Sequence, residues 1–347
     1  MTIERQIEVI KKSGLFDEDY YLNIYPDVKE AGMNPIHHYV LYGASECRNP
    51  SRNFDTDFYY QSNYEVYVKG ENPLVHYILM GKKAQKAEKP IPEKAIIVCY
   101  HIATMGYYKA LVQEQLNLIK KSGLGQECYR IYINVAGEKS IELALLLLSY
   151  PFSHKMRISH QDNLYHWEFP TIKIVQKVAE EQPTTKILYF HTKGASKSGE
   201  TLDFQKRMWA WRRYMEYFNI EKWRNCVKAL DSHDCCGVDW IFLLPDKIGY
   251  FGGNFWWANG TYINRCQKDY VDYHPAKSRI AAEFFIGTAP TTNVKSFLNS
   301  WENPGFQNQI PQQEREKYAD PISFLRFSGV KVFDWRSYLY EDKYYRR

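Results

Sequence analysis

Lys186-Ile-Leu-Tyr-Phe-His-Thr-Lys-Gly-Ala-Ser196 is the stretch from which the fold is read. Lys186 to Phe190 have the character of a buried strand and run directly into a polar turn holding His191, Thr192, Lys193 and Gly194. A continuous apolar run is typical of a parallel sheet, and open α/β sheets bind ligands at the carboxyl ends of their strands. Lys193 offers a point charge for a phosphate, and Gly194 permits close backbone approach. His191 is able to donate, accept or ligate. The same residues also fit a solvated turn after a core strand, so the surrounding chain has to decide.

Working outward, strands and helices alternate. Ala95 to Cys99 reads as a first buried strand ending at Tyr100-His101, and Tyr108 to Lys121 as a helix with Leu111, Gln115 and Leu118 in period. Arg130 to Val135 is a second strand closed by Gly137, followed by a helix over 139–149 and a short strand from Lys155 to Ile158. Pro170 opens a helix running to Glu181, a position where proline sacrifices no hydrogen bond. This order predicts an α/β fold with a Rossmann-like, doubly wound, mostly parallel sheet and a binding crevice at its strand ends.

Beyond the central strand, Leu202 to Phe218 predicts a helix with Phe204, Met208, Trp211, Met215 and Phe218 as its core face. Arg207, Arg212 and Arg213 then fall on the solvated side, where Arg212 is a candidate diphosphate clamp. Cys236 to Leu244 reads as another strand, and Gly249 to Ala258 as a glycine-rich aromatic loop. Trp256 and Trp257 must face different ways, which makes at least one a candidate to line a pocket for a sugar. Ser278 to Ile286 places Glu283 in an apolar helical run. A partly desolvated carboxylate suits a general base near neutral pH, and a plain surface glutamate is the alternative.

The first part of the chain has a different texture. Phe16 to Tyr21 matches Phe54 to Tyr59 at an offset of 38, and the same offset relates Asn34-Pro35 to Asn72-Pro73 and His38-Tyr39 to His76-Tyr77. Two helical hairpins in tandem are expected. Asp17-x-Asp19 and Asp55-x-Asp57 look like metal-binding pairs, but their place before a helix in both copies fits N-capping. His37, His38 and His76 read as packing residues rather than ligands. Residues 82–93 are a charged, proline-bearing boundary. The expected division is a separately folding all-α module over 1–88, a linker over 89–94, an α/β domain over 95–300 and a C-terminal extension over 301–347.

Composition sets the outer bounds. A chain of 347 residues, 45% hydrophobic and 24% charged, is globular and long enough for two units. A net charge of +5 suits an anionic ligand or membrane surface and lacks the clustered basic stripe of a nucleic-acid binder. Seven cysteines without a CxxC pair argue against a disulfide framework and a zinc site. With no secretory leader or membrane-length apolar run, the expected location is cytoplasmic.

The landmarks Gln115-Leu, Ser122-Gly-Leu124, Glu168-Phe-Pro-Thr171, Tyr189-Phe-His-Thr-Lys-Gly194, Trp211-Arg212 with Met215, Gly253-Asn-Phe-Trp-Trp-Ala258 and Arg279…Glu283 stand in order along the chain. With them the C-terminal unit resembles a family of bacterial, viral and algal polysaccharide glycosyltransferases of the GT-A type. The 38-residue repeats resemble modules found beside such enzymes in bacterial surface-polysaccharide proteins. In these relatives the strand-end turn stands where other GT-A enzymes hold Asp-x-Asp. Where their pattern places a histidine before Gly-Asn-Phe-Trp-Trp, this chain has Tyr250.

The resemblance implies transfer of a glycosyl group from a nucleotide-sugar to a glycan hydroxyl in surface-polysaccharide biosynthesis, such as capsule or O-antigen, with inversion as the simplest outcome. Glu283 (as base), Lys193 and His191 are the implied catalytic residues. Tyr100, His101, Glu168, His191, Thr192, Lys193, Gly194 and Arg212 are implied to meet the nucleotide-sugar, and Asn254, Trp256 and Trp257 the acceptor. No metal ligand or cofactor is assigned, because Lys193 neutralises the leaving diphosphate; manganese or magnesium is the alternative. Partners are the donor, a glycan or lipid-linked glycan, and a protein or the inner membrane face through residues 1–88. The competing class is a non-catalytic glycan-binding or scaffold protein with a degenerate transferase domain, against which Lys193 and Glu283 speak.

Overall fold

The computed structural model describes residues 1–80, 90–243, 248–271, 281–289 and 293–298. The predicted apolar runs form parallel strands. They are β1 (Ile96–Ala103), β2 (Arg130–Ala136), β3 (Met156–Gln161) and β4 (Lys186–His191), in the spatial order β3-β2-β1-β4. The same sheet continues through β8 (Trp256–Asn259), β5 (Cys235–Gly237) and β9 (Val294–Ser296). β8 pairs antiparallel with both β4 and β5, and β9 pairs parallel with β5, so β8 alone runs against the rest. A separate antiparallel ribbon joins β6 (Trp240–Leu243) and β7 (Ile248–Phe251).

Side chains alternate across a strand, and here both faces are covered. Val98, Tyr100, Leu188, Phe190, Phe255 and Trp257 pack on one side. There they meet α8 (Tyr108–Lys121), α10 (Ile141–Leu148) and α12 (Leu202–Glu216). Ile97, Cys99, Ile187, Tyr189, Trp256 and Ala258 pack on the other, against α11 (Phe169–Glu181). Shorter helical pieces are α9 (Leu124–Glu127), α13 (Trp223–Ala229), α14 (Gly260–Ile263) and α15 (Ala281–Phe284).

Several boundaries differ from the sequence expectation. Tyr100 and His101 lie within β1, not beyond its end. The single strand expected from Cys236 is broken into β5 and β6 at Asp239, whose φ of 56° turns the chain out of extended geometry. Leu244 lies outside the described residues, as do Arg279 and the 301–347 extension. The expected loop from Gly249 is largely β7 and β8, because its aromatic residues fill the core on alternating sides. α12 is also rotated from its predicted face. Trp209, Ala210, Arg212, Tyr214, Met215 and Glu216 are buried, while Phe204, Met208, Trp211 and Phe218 are only partly so.

α1 (Ile3–Ser13) precedes the repeats, which fold as α2 (Glu18–Ile24), α3 (Pro26–Glu30), α4 (Pro35–His38), α5 (Thr56–Ser62), α6 (Tyr64–Val68) and α7 (Pro73–Leu79). Asp17 and Asp55 are caps, accepting from the backbone N–H of Tyr20 and Phe58. Equivalent Tyr–His pairs recur: Tyr21 Oη lies 2.9 Å from His38 Nδ1, and Tyr59 Oη lies 2.7 Å from His76 Nδ1. His37, by contrast, faces solvent. The module docks on the edge strand β3. Tyr64 Oη sits 2.7 Å from His160 Nδ1, Arg157 stacks over Phe58, and Lys139 stands 4.1 Å above the Tyr67 ring. Of the linker, residues up to 89 lie outside the described ones, and Ile91 is already buried in the α/β core.

Candidate active site

His191 closes β4 on the same face as Ile187 and Tyr189, and so points toward the start of α11. Glu168 occupies the N-cap of that helix, immediately before Phe169-Pro170. Its carboxylate gathers three side chains. Oε1 is 2.7 Å from His191 Nδ1, and Oε2 accepts from Tyr189 Oη at 3.1 Å and from Asn254 Nδ2 at 2.7 Å. Burial works against the charge on Glu168, but His191 and its hydrogen bond outweigh it and hold the carboxyl well below the usual range. His191 Nε2 is buried and has no hydrogen-bond partner. An unsatisfied buried polar atom of this kind costs about 1–3 kcal/mol, and so calls for a reason.

Asn254 is positioned by its backbone. It adopts φ 61° next to Gly253 at φ 89°, in the turn between β7 and β8. A Cβ at position 253 would lie 2.4 Å from Met215 Sδ and force that side chain to move, and a φ of 89° is one that side-chain-bearing residues rarely adopt. Asn254 Oδ1 accepts from Trp256 Nε1 at 2.8 Å, and the Trp256 ring stacks on Tyr189. Next along the sheet, His101 Nδ1 lies 2.9 Å from Thr171 Oγ1 of α11. Burial pulls the His101 pKa down from 6.5 to about 4.

The turn after β4 carries the charge. Thr192 Oγ1 accepts from the Ala103 N–H at 3.1 Å, tying the turn to the end of β1. Gly194 takes φ 86°, outside the range of most side chains. Between them Lys193 reaches over the Trp211 ring, 4.5 Å from its centroid, and its Nζ is 3.6 Å from Glu283 Oε1. Both members of this pair are partly exposed. The fold therefore brings Lys193, Glu283, His191, Glu168, Thr192 and Gly194 to the carboxyl end of the central strands. Among the described residues, no group of three or more His, Cys, Asp or Glu side chains is placed to hold a metal ion.

Other expected site residues lie elsewhere. Tyr100 faces away from the Glu168–His191 side because it falls on the opposite face of β1. It is fully buried and donates to Gln115 Oε1 at 2.6 Å. Arg212 is no diphosphate clamp, since its guanidinium is buried between Glu114 (2.6 Å) and Glu216 (3.1 Å). Trp256 and Trp257 do face opposite ways, but the sheet is covered on both sides and neither offers a surface to an acceptor. Trp257 Nε1 donates to the Asn219 carbonyl at 2.9 Å. Asn254, also fully buried, orients Glu168 instead of meeting an acceptor.

Sequence reasoning missed Tyr189 as a partner of Glu168 and Trp211 as the platform under Lys193. It also missed the second role of Gln115, whose Nε2 donates both to the His191 carbonyl (3.1 Å) and to Glu216 Oε1 (2.8 Å). Adjacency to His191 on the same strand face was the available signal for Tyr189.

No curated protein matches the chain. It is similar to the crystal structure of 4-diphosphocytidyl-2C-methyl-D-erythritol synthase from Anaerococcus prevotii at 12% identity and a TM-score of 0.34, over 65% of this chain and 96% of that one. A family model matches residues 101–302, so the chain belongs to the family of a domain of unknown function, DUF8361.

Proposed function

We propose that the protein is a glycosyltransferase of GT-A type. It moves a sugar from a nucleotide-sugar to a glycan hydroxyl in surface-polysaccharide biosynthesis. The observation that carries this reading is the Lys193–Glu283 pair over Trp211, 3.6 Å apart at the carboxyl end of β4. Ligands of open α/β sheets sit there, and a lysine meets a phosphate as a compact point charge. Glycosyl transfer requires compensation of the charge that develops on the leaving diphosphate and a group to take the acceptor proton. In this reading Lys193 does the first. Gly194 gives the nucleotide backbone access, while buried His101 and Thr192 brace the strand ends behind it. The reaction runs without a metal, and the repeat module contacts the acceptor, a partner protein or a membrane surface.

Nucleotide release from a panel of nucleotide-sugars by the full chain tests the proposal. One donor is expected to be hydrolysed slowly and transferred faster when an acceptor glycan is supplied. A chain that binds glycan but releases no nucleotide from any donor is a binding protein, and the proposal fails.

A further inference from the structure

We infer that His191, through Nε2, takes the acceptor proton, and that Glu168 is the positioning residue that fixes the imidazole for this task. The inference rests on the glycosyl-transfer reading and names the proton acceptor within it. An ionised carboxylate only accepts hydrogen bonds. With Glu168 Oε1 at 2.7 Å, the imidazole proton sits on Nδ1, and Nε2 is the nitrogen left for chemistry. Nε2 has no partner of its own, so a substrate hydroxyl completes the arrangement. Glu168 is itself held by Tyr189 and Asn254, which leaves the dyad little freedom to turn. Glu283, the other candidate, is set differently. Its side chain is 24% exposed against 6% for His191, and it faces the Lys193 ammonium instead of an orienting group.

The step balances. The acceptor O–H bond breaks and its proton passes to Nε2. The freed oxygen forms a bond to the anomeric carbon, and the bond from that carbon to the diphosphate oxygen breaks. The electron pair leaves on the nucleoside diphosphate beside Lys193. The imidazolium returns its proton to water when the products depart.

The test uses the full chain with the nucleotide-sugar that wild type turns over. His191→Asn keeps a donor for Glu168 but removes Nε2. A positioned general base is worth about 10²–10⁴ in rate, so turnover is expected to fall at least a hundredfold while donor Kd stays within a few-fold. Glu168→Gln is expected to lower kcat more than it changes KM. It also moves the acidic limb of the pH–kcat profile to lower pH, because the imidazolium loses its carboxylate. Near wild-type turnover in His191→Asn, or an unmoved acidic limb in Glu168→Gln, overturns the inference. Loss in Glu283→Gln with His191→Asn still active assigns the proton to Glu283. Should Glu168→Gln fail to fold, His191→Asn decides alone. If wild type itself releases no nucleotide, the transferase reading falls and this inference falls with it. That outcome is told apart because it appears before any variant is made.

Discussion

Strand β4 separates two buried polar clusters of opposite character. On the α8–α12 side, Arg212 and Arg213 meet Glu114, Glu216 and Glu221, and Gln115 uses its amide toward Tyr100, Glu216 and the His191 carbonyl. The charges there are matched to one another. On the α11 side, Glu168 is equally well supplied, but its histidine keeps one nitrogen without a partner. A saturated cluster holds elements together, whereas one with a vacancy is prepared to receive something. Burial alone does not separate them: Glu216 and Asn254 are both fully enclosed. The difference lies in whether every donor and acceptor is spoken for.

Breaking the saturated cluster has the largest expected effect. Arg212→Ala takes from Glu114 its closest cation, at 2.6 Å, and leaves Glu114 and Glu216 to Arg213 alone; removing one partner of a buried pair typically costs about 3–5 kcal/mol. Urea denaturation is expected to show that loss. An Arg212→Ala protein of normal stability but weak donor binding would instead return this residue to the ligand site. On the open side, Lys193→Ala is expected to weaken donor binding roughly ten- to a hundredfold, the worth of a charge-assisted contact, with little change in melting temperature. Turnover is likewise expected to survive EDTA. Abolition by chelation, with recovery on adding manganese or magnesium, would assign the charge compensation to a metal.

The boundary of the open cluster gives a pH signature. His101 has a folded-state pKa lowered by burial from 6.5 to about 4, so the unfolded chain binds the proton more readily between these values. Its contribution to stability is full above pH 6.5 and is lost as pH falls toward 4. His101→Gln is expected to flatten the stability–pH curve across that window, measured by chemical denaturation at a series of pH values. The smallest effect belongs to neither cluster. Asp17→Ala and Asp55→Ala each remove a helix cap worth about 0.5–2 kcal/mol and are expected to leave nucleotide release unchanged. Loss of activity in either would give the repeat aspartates a chemical role.

Much of the scaffold was legible because it depends on local pattern. The four parallel strands, the helices between them and the 38-residue repeat follow from periodicity, capping residues and proline placement. Coverage was not legible. Period two places Trp256 and Trp257 on opposite faces, but says nothing about whether each face is packed. Arg212 illustrates the same gap, since its partner Glu114 is 98 residues away and no helical pattern marks a buried arginine. For the site, the polar turn after β4 announced itself, while Glu168, His191 and Asn254 converge only through the sheet and the turn at Gly253.

The docking of the repeat module on β3 has a consequence for assembly. β3 ends the sheet, and a terminal strand carries a row of backbone groups that invites pairing with another chain. The module stands against that rim, with Phe58, Tyr64 and Tyr67 meeting Arg157, His160 and Lys139. It thus stands beside the edge at which a second chain would have to pair. A chain shortened to begin at Ile91 retains the strands and bares the rim, and light scattering is expected to show it growing into oligomers as its concentration rises.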